Sequence, residues 1–184
     1  LQLGADSVEY LICGSGQGGY DSIIMGPTDR VIEIGDIAIF DTGATFNGYY
    51  TDFCRNFAFG EVSDAAKKAN NTIHRSIDAA FEIARPGIGT AELFNTMWDI
   101  LETGGALGNE VGRMGHGLGC ELTEWPSVTP NHNVELQPGM VITLEPGMFY
   151  AEGKSLVHEE NIVITETGAE WLTQRAAPDI VIID

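Results

Sequence analysis

The sequence is poor in positive charge. Only 9 of its 184 residues are Lys or Arg, against 27 Asp or Glu, which leaves a formal net charge of −18. Such a surface repels nucleic acid and anionic membranes, so neither is expected as a partner. Long apolar runs are missing too, and nothing approaches the ~20 residues that a membrane-spanning helix needs. No basic, then apolar, then small-residue pattern opens the chain, so no secretory leader is expected. Cysteine is scarce: Cys13, Cys54 and Cys120 are widely spaced, with no Cys-x-x-Cys. That odd count argues against a disulfide framework or a zinc ribbon and points to reduced thiols in a cytoplasmic protein. The chain starts at Leu1, not Met, within a probable strand. We therefore expect residues 1–184 to be one domain, the C-terminal part of a longer protein. The length supports a sizeable core, and 43% hydrophobic residues suit a soluble globular fold.

Local signals then divide the chain. Val8–Cys13 reads as a short buried strand and Gly14–Asp21 as a glycine-rich loop. That loop lacks the strand-to-helix context of a phosphate cradle. Pro27-Thr28-Asp29-Arg30 reads as a turn. Ile37–Phe40 is an apolar run that ends at Asp41. Asn47-Gly48 predicts a hairpin, because both residues tolerate positive φ, and Tyr49–Phe59 reads as its return strand. Ser63 is a predicted N-cap for a helix carrying Ile73, Ile77, Ala80, Phe81 and Ala84 at helical spacing. Pro86-Gly87 stops it. Thr90 is expected to cap a second helix, with Leu93, Met97, Ile100 and Leu101 on one face, which Gly104-Gly105 ends. Short strands follow near Glu121–Thr123, Val141–Glu145 and Asn161–Thr165. Strands, then helices, then strands predict an α+β fold.

A faint repeat is present. The segment from Gly35 through Asp41 to Gly43 matches that from Gly139 through Glu145 to Gly147, with both glycines and the acid aligned. Each copy is an apolar strand ending in a carboxylate, followed by a hairpin whose second strand carries another acid, Asp52 or Glu159. A two-fold arrangement would bring four carboxylates to one centre. An unpaired buried carboxylate is costly, and a cation against it offsets the cost. Pairing with Arg55 or Arg30 serves one acid but not four, in a chain with nine basic residues. His116 sits between glycines that permit close backbone approach. One imidazole with four carboxylates suits two divalent ions such as manganese, with cobalt, iron or zinc as alternatives, and the histidine disfavours calcium.

Asp41-Thr42-Gly43-Ala44, then Gly48-Tyr49-Tyr50-Thr51-Asp52, resembles the two-aspartate signature of the creatinase, aminopeptidase P and methionine aminopeptidase family. Gly115-His116-Gly117-Leu118-Gly119, Leu144-Glu145-Pro146-Gly147 and the Glu159 of His158-Glu159-Glu160-Asn161 are similar to its remaining ligand motifs, in order. Glu160 fits that last motif less well than Glu159. The resemblance implies the pita-bread α+β fold with pseudo-two-fold symmetry, here without its usual opening helix. It implies two metal ions on Asp41, Asp52, His116, Glu145 and Glu159, and Glu145 as the catalytic proton acceptor. Pro27-Thr28-Asp29-Arg30 and Glu124-x-Pro126 resemble the Xaa-Pro aminopeptidase and prolidase branch, in which a homodimer helps to build the pocket.

Several histidines usual in that branch are replaced. Ile24 and Met25, Gly112 and Thr123 stand in their places, and Val157 stands for a frequent arginine. Proton transfer would then use Glu145, Glu124, water or His158. Thr123, Glu124 and Trp125 are the candidates for the substrate pocket. The leading expectation is a metal-dependent Xaa-Pro-type hydrolase acting on a peptide or small amide. The alternatives are a lyase or small-molecule C–N hydrolase on the same scaffold, or a non-catalytic binding module.

Overall fold

The computed structural model of the chain describes every residue except Leu1, Met25, Pro27, Glu110, Val111 and Asp184. The turn expected at Pro27 and the substitution at Met25 therefore lie partly outside the described residues. The elements run β1 (Ser7–Gln17), β2 (Asp36–Phe46), β3 (Tyr49–Tyr50), β4 (Phe53–Phe59), α1 (Asp64–Ile83), α2 (Thr90–Gly104), β5 (His116–Gly117), β6 (Glu124–Ser127), β7 (Val141–Leu144), β8 (Gly147–Ala151), β9 (Lys154–Val157), β10 (Glu160–Ile164), β11 (Ala169–Trp171) and β12 (Val181–Ile183).

Two five-stranded sheets carry the fold. One has the order β1-β2-β4-β12, with β3 on β2; the other is β11-β10-β7-β5-β6; β8 and β9 form a separate hairpin. All pairings are antiparallel except β12 on β4. The apolar run Ile37–Ile39 forms the centre of β2 and is almost wholly buried, because strands cover it on both edges and helices pack behind. The Asn47-Gly48 turn has φ of 50° and 78°, as the hairpin signal predicts.

The helices form the layer behind the sheets. Ser63 caps α1 by accepting from the Ala66 amide, and Ala66, Ala69, Ile73, Ile77 and Ala80 are its buried face. The buried stripe of α2 is Leu93, Phe94, Met97 and Leu101, with Phe94 where Ile100 was expected. Gly105 ends α2 in the left-handed region. Thr90 is not the cap. It is the first helical residue, and its hydroxyl bridges His132 O and the Val134 amide. The side chain of Asn133 instead accepts from the Ala91 amide, so the cap comes from a loop more than forty residues away.

Other local expectations shift. β1 is long, absorbs Gly14–Gln17 from the supposed loop and leaves Val8 and Leu11 exposed. The return strand breaks at Thr51-Asp52 into β3 and β4. The strand expected at Glu121–Thr123 lies instead at Glu124–Ser127.

The repeat is visible in the strand pairs β2/β4 and β7/β10, which hold Asp41 opposite Cys54 and Leu144 opposite Glu160. Two departures from the expected symmetry stand out. Asp41 lies mid-strand, because β2 continues to Phe46, and β8–β9 intervenes between β7 and β10. The two half-sheets are tied where β4 meets β10. Asn161 donates to Asp52 O at 2.5 Å, Asn56 to Val157 O at 2.7 Å and Arg55 to Glu159 O at 2.8 Å. This seam sets the candidate residues of both halves against one another.

Candidate metal centre

His116 is the hinge of the site. Its amide donates to the Thr143 hydroxyl on β7, and Nδ1 lies 2.9 Å from Gly117 O. At that distance Nδ1–H donates, leaving the Nε2 lone pair facing the carboxylates. Nε2 is 3.4 Å from Asp52 Oδ2 and 4.0 Å from Glu145 Oε2. Gly115 makes this placement possible. Its φ is +144°, and a Cβ there would come 2.0 Å from Thr143 O. Gly43 of the Asp-Thr-Gly motif has a similar reason, since its Cβ would lie 1.9 Å from Thr51 O and push the Asp52 segment away.

Asp52, His116 and Glu159 are buried, and each offers one ligand atom within 4.8 Å of the other two. Asp41 and Glu145 line the same cavity as Asp52 and His116. Asp41 Oδ1, Glu145 Oε2 and Glu159 Oε1 are buried without a hydrogen-bond partner. Orphaned carboxylate oxygens are expensive, and together they ask for positive charge. Burial pushes the Asp41 carboxyl up to about 6, assisted by Asp52. It pushes Glu145 up to about 7, against the pull of His116 and Arg113. Burial also drives Glu159 well above the usual carboxylate range, with Glu145 and Asp52 adding to it.

Arg30 and Arg55 leave these acids alone. Arg30 is paired with Asp36 at 2.7 Å, and Arg55 with Glu160 at 3.1 Å. Glu160 faces away from the cavity, as alternation along an extended strand requires. It also accepts from Thr173 at 2.6 Å and from the Ala176 amide, with His158 Nε2 2.9 Å away. Burial opposes its charge, but these partners hold its carboxyl down at about 2. His158 shares that side, stacked on His74 with ring centroids 4.2 Å apart, and does not line the cavity that holds Glu145. That separates it from Glu145, the first of the expected proton carriers.

The three pocket candidates separate. Thr123 lines the cavity of the acids. Glu124 and Trp125 line a different groove, which also includes Tyr50 and Leu172. Glu124 accepts from the Glu121 amide, and Trp125 is exposed. Two cavity residues were not singled out in the sequence. Tyr10 of β1 donates its hydroxyl to Asp52 Oδ1, and Arg113 stands beside Glu145. The position of Arg113 three residues before His116 was a usable clue; Tyr10 is 42 residues from its partner and offered none. Ile12, Ile23 and Leu122 make the wall apolar, around about 300 Å³.

Comparison with known proteins identifies the family and the fold. The model of metallopeptidase family M24 matches residues 1–166. The chain is 31% identical to the Xaa-Pro dipeptidase of Pyrococcus furiosus, a match covering 92% of this chain and 52% of that protein. It is 32% identical to the probable dipeptidase PepE of Mycobacterium bovis, covering 90% and 44%. Among solved structures, recombinant prolidase from Thermococcus sibiricus superposes with a TM-score of 0.90 at 30% identity, over 99% of this chain and 49% of that one. X-Pro aminopeptidase from Thermotoga maritima gives 0.90 and 30%, over 99% and 51%. The chain thus shares the α+β pita-bread fold of these proteins. It spans about half the length of the relatives that it matches.

Proposed function

The chain belongs to metallopeptidase family M24, and from that premise we propose that it is the catalytic domain, residues 1–184, of a dinuclear metal-dependent hydrolase acting on Xaa-Pro dipeptides or related small amides. Asp41, Asp52, His116, Glu145 and Glu159 hold two divalent cations, with manganese first and cobalt, zinc or iron as alternatives. One observation carries this reading. Asp52 and Glu159 each bring a carboxylate oxygen within 4.8 Å of a nitrogen of buried His116, and Asp41, Glu145 and Glu159 each keep a buried oxygen without a hydrogen-bond partner. The donor set, oxygen-rich with one nitrogen, fits such ions.

When bound, the cations supply an activated water and polarise the scissile carbonyl. The protein does the rest. Glu145 lines the cavity with its Oε2 free of any hydrogen-bond partner, so its carboxylate is placed to accept the proton of the attacking water and pass it on. Tyr10, hydrogen-bonded to Asp52, and Gly117 O, facing His116 Nδ1, keep two of the ligands oriented. The apolar wall of Ile12, Ile23 and Leu122 receives the substrate and excludes water.

Three free cysteines support a reducing, cytoplasmic setting. Exposed Val8, Leu11 and Phe46 support a covering partner, which in the whole protein we take to be a second copy. The test is metal analysis of the manganese-loaded protein together with hydrolysis of a panel of Xaa-Pro dipeptides and small amides. About two ions per chain and Xaa-Pro cleavage are expected. Asp52→Ala should lower the occupancy of both ions. Full metal content with cleavage of small amides alone would favour the C–N hydrolase alternative. A wild type that stays metal-free would leave only the binding-module reading.

A further inference from the structure

Glu124 and Trp125 stand in a groove of about 460 Å³ that shares no lining residue with the cavity of the acids. That size is within the usual range for small-molecule pockets. The walls are tied in place. The Tyr50 amide donates to Gly119 O at 2.8 Å, and the Leu172 amide to Asn161 O at 2.9 Å. Yet the side chains of Tyr49, Trp125 and Leu172, all on this groove, remain exposed. Apolar side chains left open along a framed groove mark a binding surface.

Three features define what fits there. Tyr49, Tyr50 and Trp125 bring three aromatic rings, whose faces attract cations. Glu124 adds a carboxylate, and no Lys, Arg or His is among the described residues that line the groove. Among those residues Glu124 has no ion-pair partner; it accepts only from the Glu121 amide. Asn161 lines the groove as well and is 2% exposed. Its Nδ2 is committed to Asp52 O at 2.5 Å, and its Oδ1 is buried without a hydrogen-bond partner. Such an acceptor lacks a donor. The two poles are far apart. Glu124 pairs with Gly117, Gly117 with Ile142, and Ile142 with Ile162, the neighbour of Asn161. Three strand spacings put about 14 Å between those backbones.

We propose that this groove is a second binding site, for an elongated aliphatic cation with a nitrogen at each end, of the linear diamine class. One ammonium lies against Glu124 and the aromatic rings. The alkyl chain crosses the groove over Met140 and Val141, and the far nitrogen donates to Asn161 Oδ1. The net charge of −18 draws such a ligand to the chain, and the groove with its single acid and single orphan acceptor selects it by length.

Binding needs no turnover, so the test stands apart from the hydrolase reading. Calorimetry on the full-length protein, in chelator and again with manganese, follows a series of linear diaminoalkanes of four to ten carbons. The monoamine and the diol of the best length serve as comparisons. Affinity should pass through an optimum within the series. The best diamine should bind at least tenfold tighter than the diol and at least fivefold tighter than the monoamine, in both buffers. Glu124→Gln, which keeps an oxygen for the Glu121 amide, should weaken the diamine at least fivefold and leave the diol within twofold. Trp125→Ala should weaken diamine and monoamine alike. A diol that binds as tightly as the diamine overturns the proposal, as does a diamine affinity that neither variant moves. Binding seen only with manganese would place the ligand on the metals instead. An equal loss in Glu92→Gln, an exposed acid on α2, would reduce the effect to general attraction. Release of the diamine as the protein self-associates would give the groove to a second copy. Each of these three results also refutes the site.

Discussion

Glu145→Gln should act in opposite directions on the metal-free and metal-loaded chain. In the metal-free protein Glu145 is held with its carboxyl raised from 4.5 to about 7, chiefly by burial. A carboxyl whose folded pKa lies above its unfolded value binds a proton more tightly when folded. Its stabilising effect is therefore present below about pH 4.5 and is lost as the pH rises toward 7, the reverse of the usual carboxylate. The displacement of about 2.5 units corresponds to roughly 3 kcal/mol at pH 8, at ~1.4 kcal/mol per unit. A neutral glutamine of nearly the same shape escapes this penalty. For a chain of this size that predicts a Tm higher by about 6–12 °C, at ~2–4 °C per kcal/mol. With manganese the sign reverses. The wild type gains about 2.7 kcal/mol for each ion present at a hundredfold excess over its Kd, whereas the variant, with one charged ligand fewer, gains less. The assay is thermal unfolding followed by circular dichroism, in chelator at pH 5 and pH 8 and with manganese at pH 8. A variant no more stable than wild type in chelator at pH 8, or equally stabilised by manganese, would refute the reading of these acids as a strained cluster awaiting cations.

Four further substitutions test the geometry. Glu159→Ala should lower metal content measured by mass spectrometry. Glu160→Ala should leave the content of the folded protein near wild type but cost about 1–3 kcal/mol in denaturant unfolding, because it removes the ion pair of half-buried Arg55 and leaves the Thr173 hydroxyl and the Ala176 amide without their acceptor. The reverse order of metal loss would move the candidate ligand by one residue. Asn133→Ala should cost about 1 kcal/mol by uncapping the amide of Ala91, with no change in metal content. Gly115→Ala should destabilise by about 2–4 kcal/mol and weaken metal binding, because the new methyl would meet Thr143 O and push His116 off β7. Unchanged urea unfolding and metal content in Gly115→Ala would contradict that contact.

Sequence by itself determined what depends on neighbours along the chain. The Asn47-Gly48 turn is a local matter of positive φ, the Ser63 cap is three residues from its donor, and the buried stripe of α1 follows from a helical period. The resemblance in motif order pointed to the family and to five residues, of which Asp41, Asp52, His116 and Glu145 line one cavity and Glu159 lies within reach of Asp52 and His116. Tertiary structure alone decided which charges are already taken. Arg55 and Glu160 are 105 residues apart, and only the seam between β4 and β10 makes them partners and leaves Glu159 Oε1 without a hydrogen-bond partner. It also decided that Asn133 rather than Thr90 caps α2, that Thr123 shares a cavity with the acids while Glu124 and Trp125 line another groove, and that Tyr10 and Arg113 stand among the acids. Each of these turns on the direction of a side chain across a sheet or on a hydrogen bond closed over tens of residues. Periodicity carries no information about such closures, because they are set by how the two half-sheets dock.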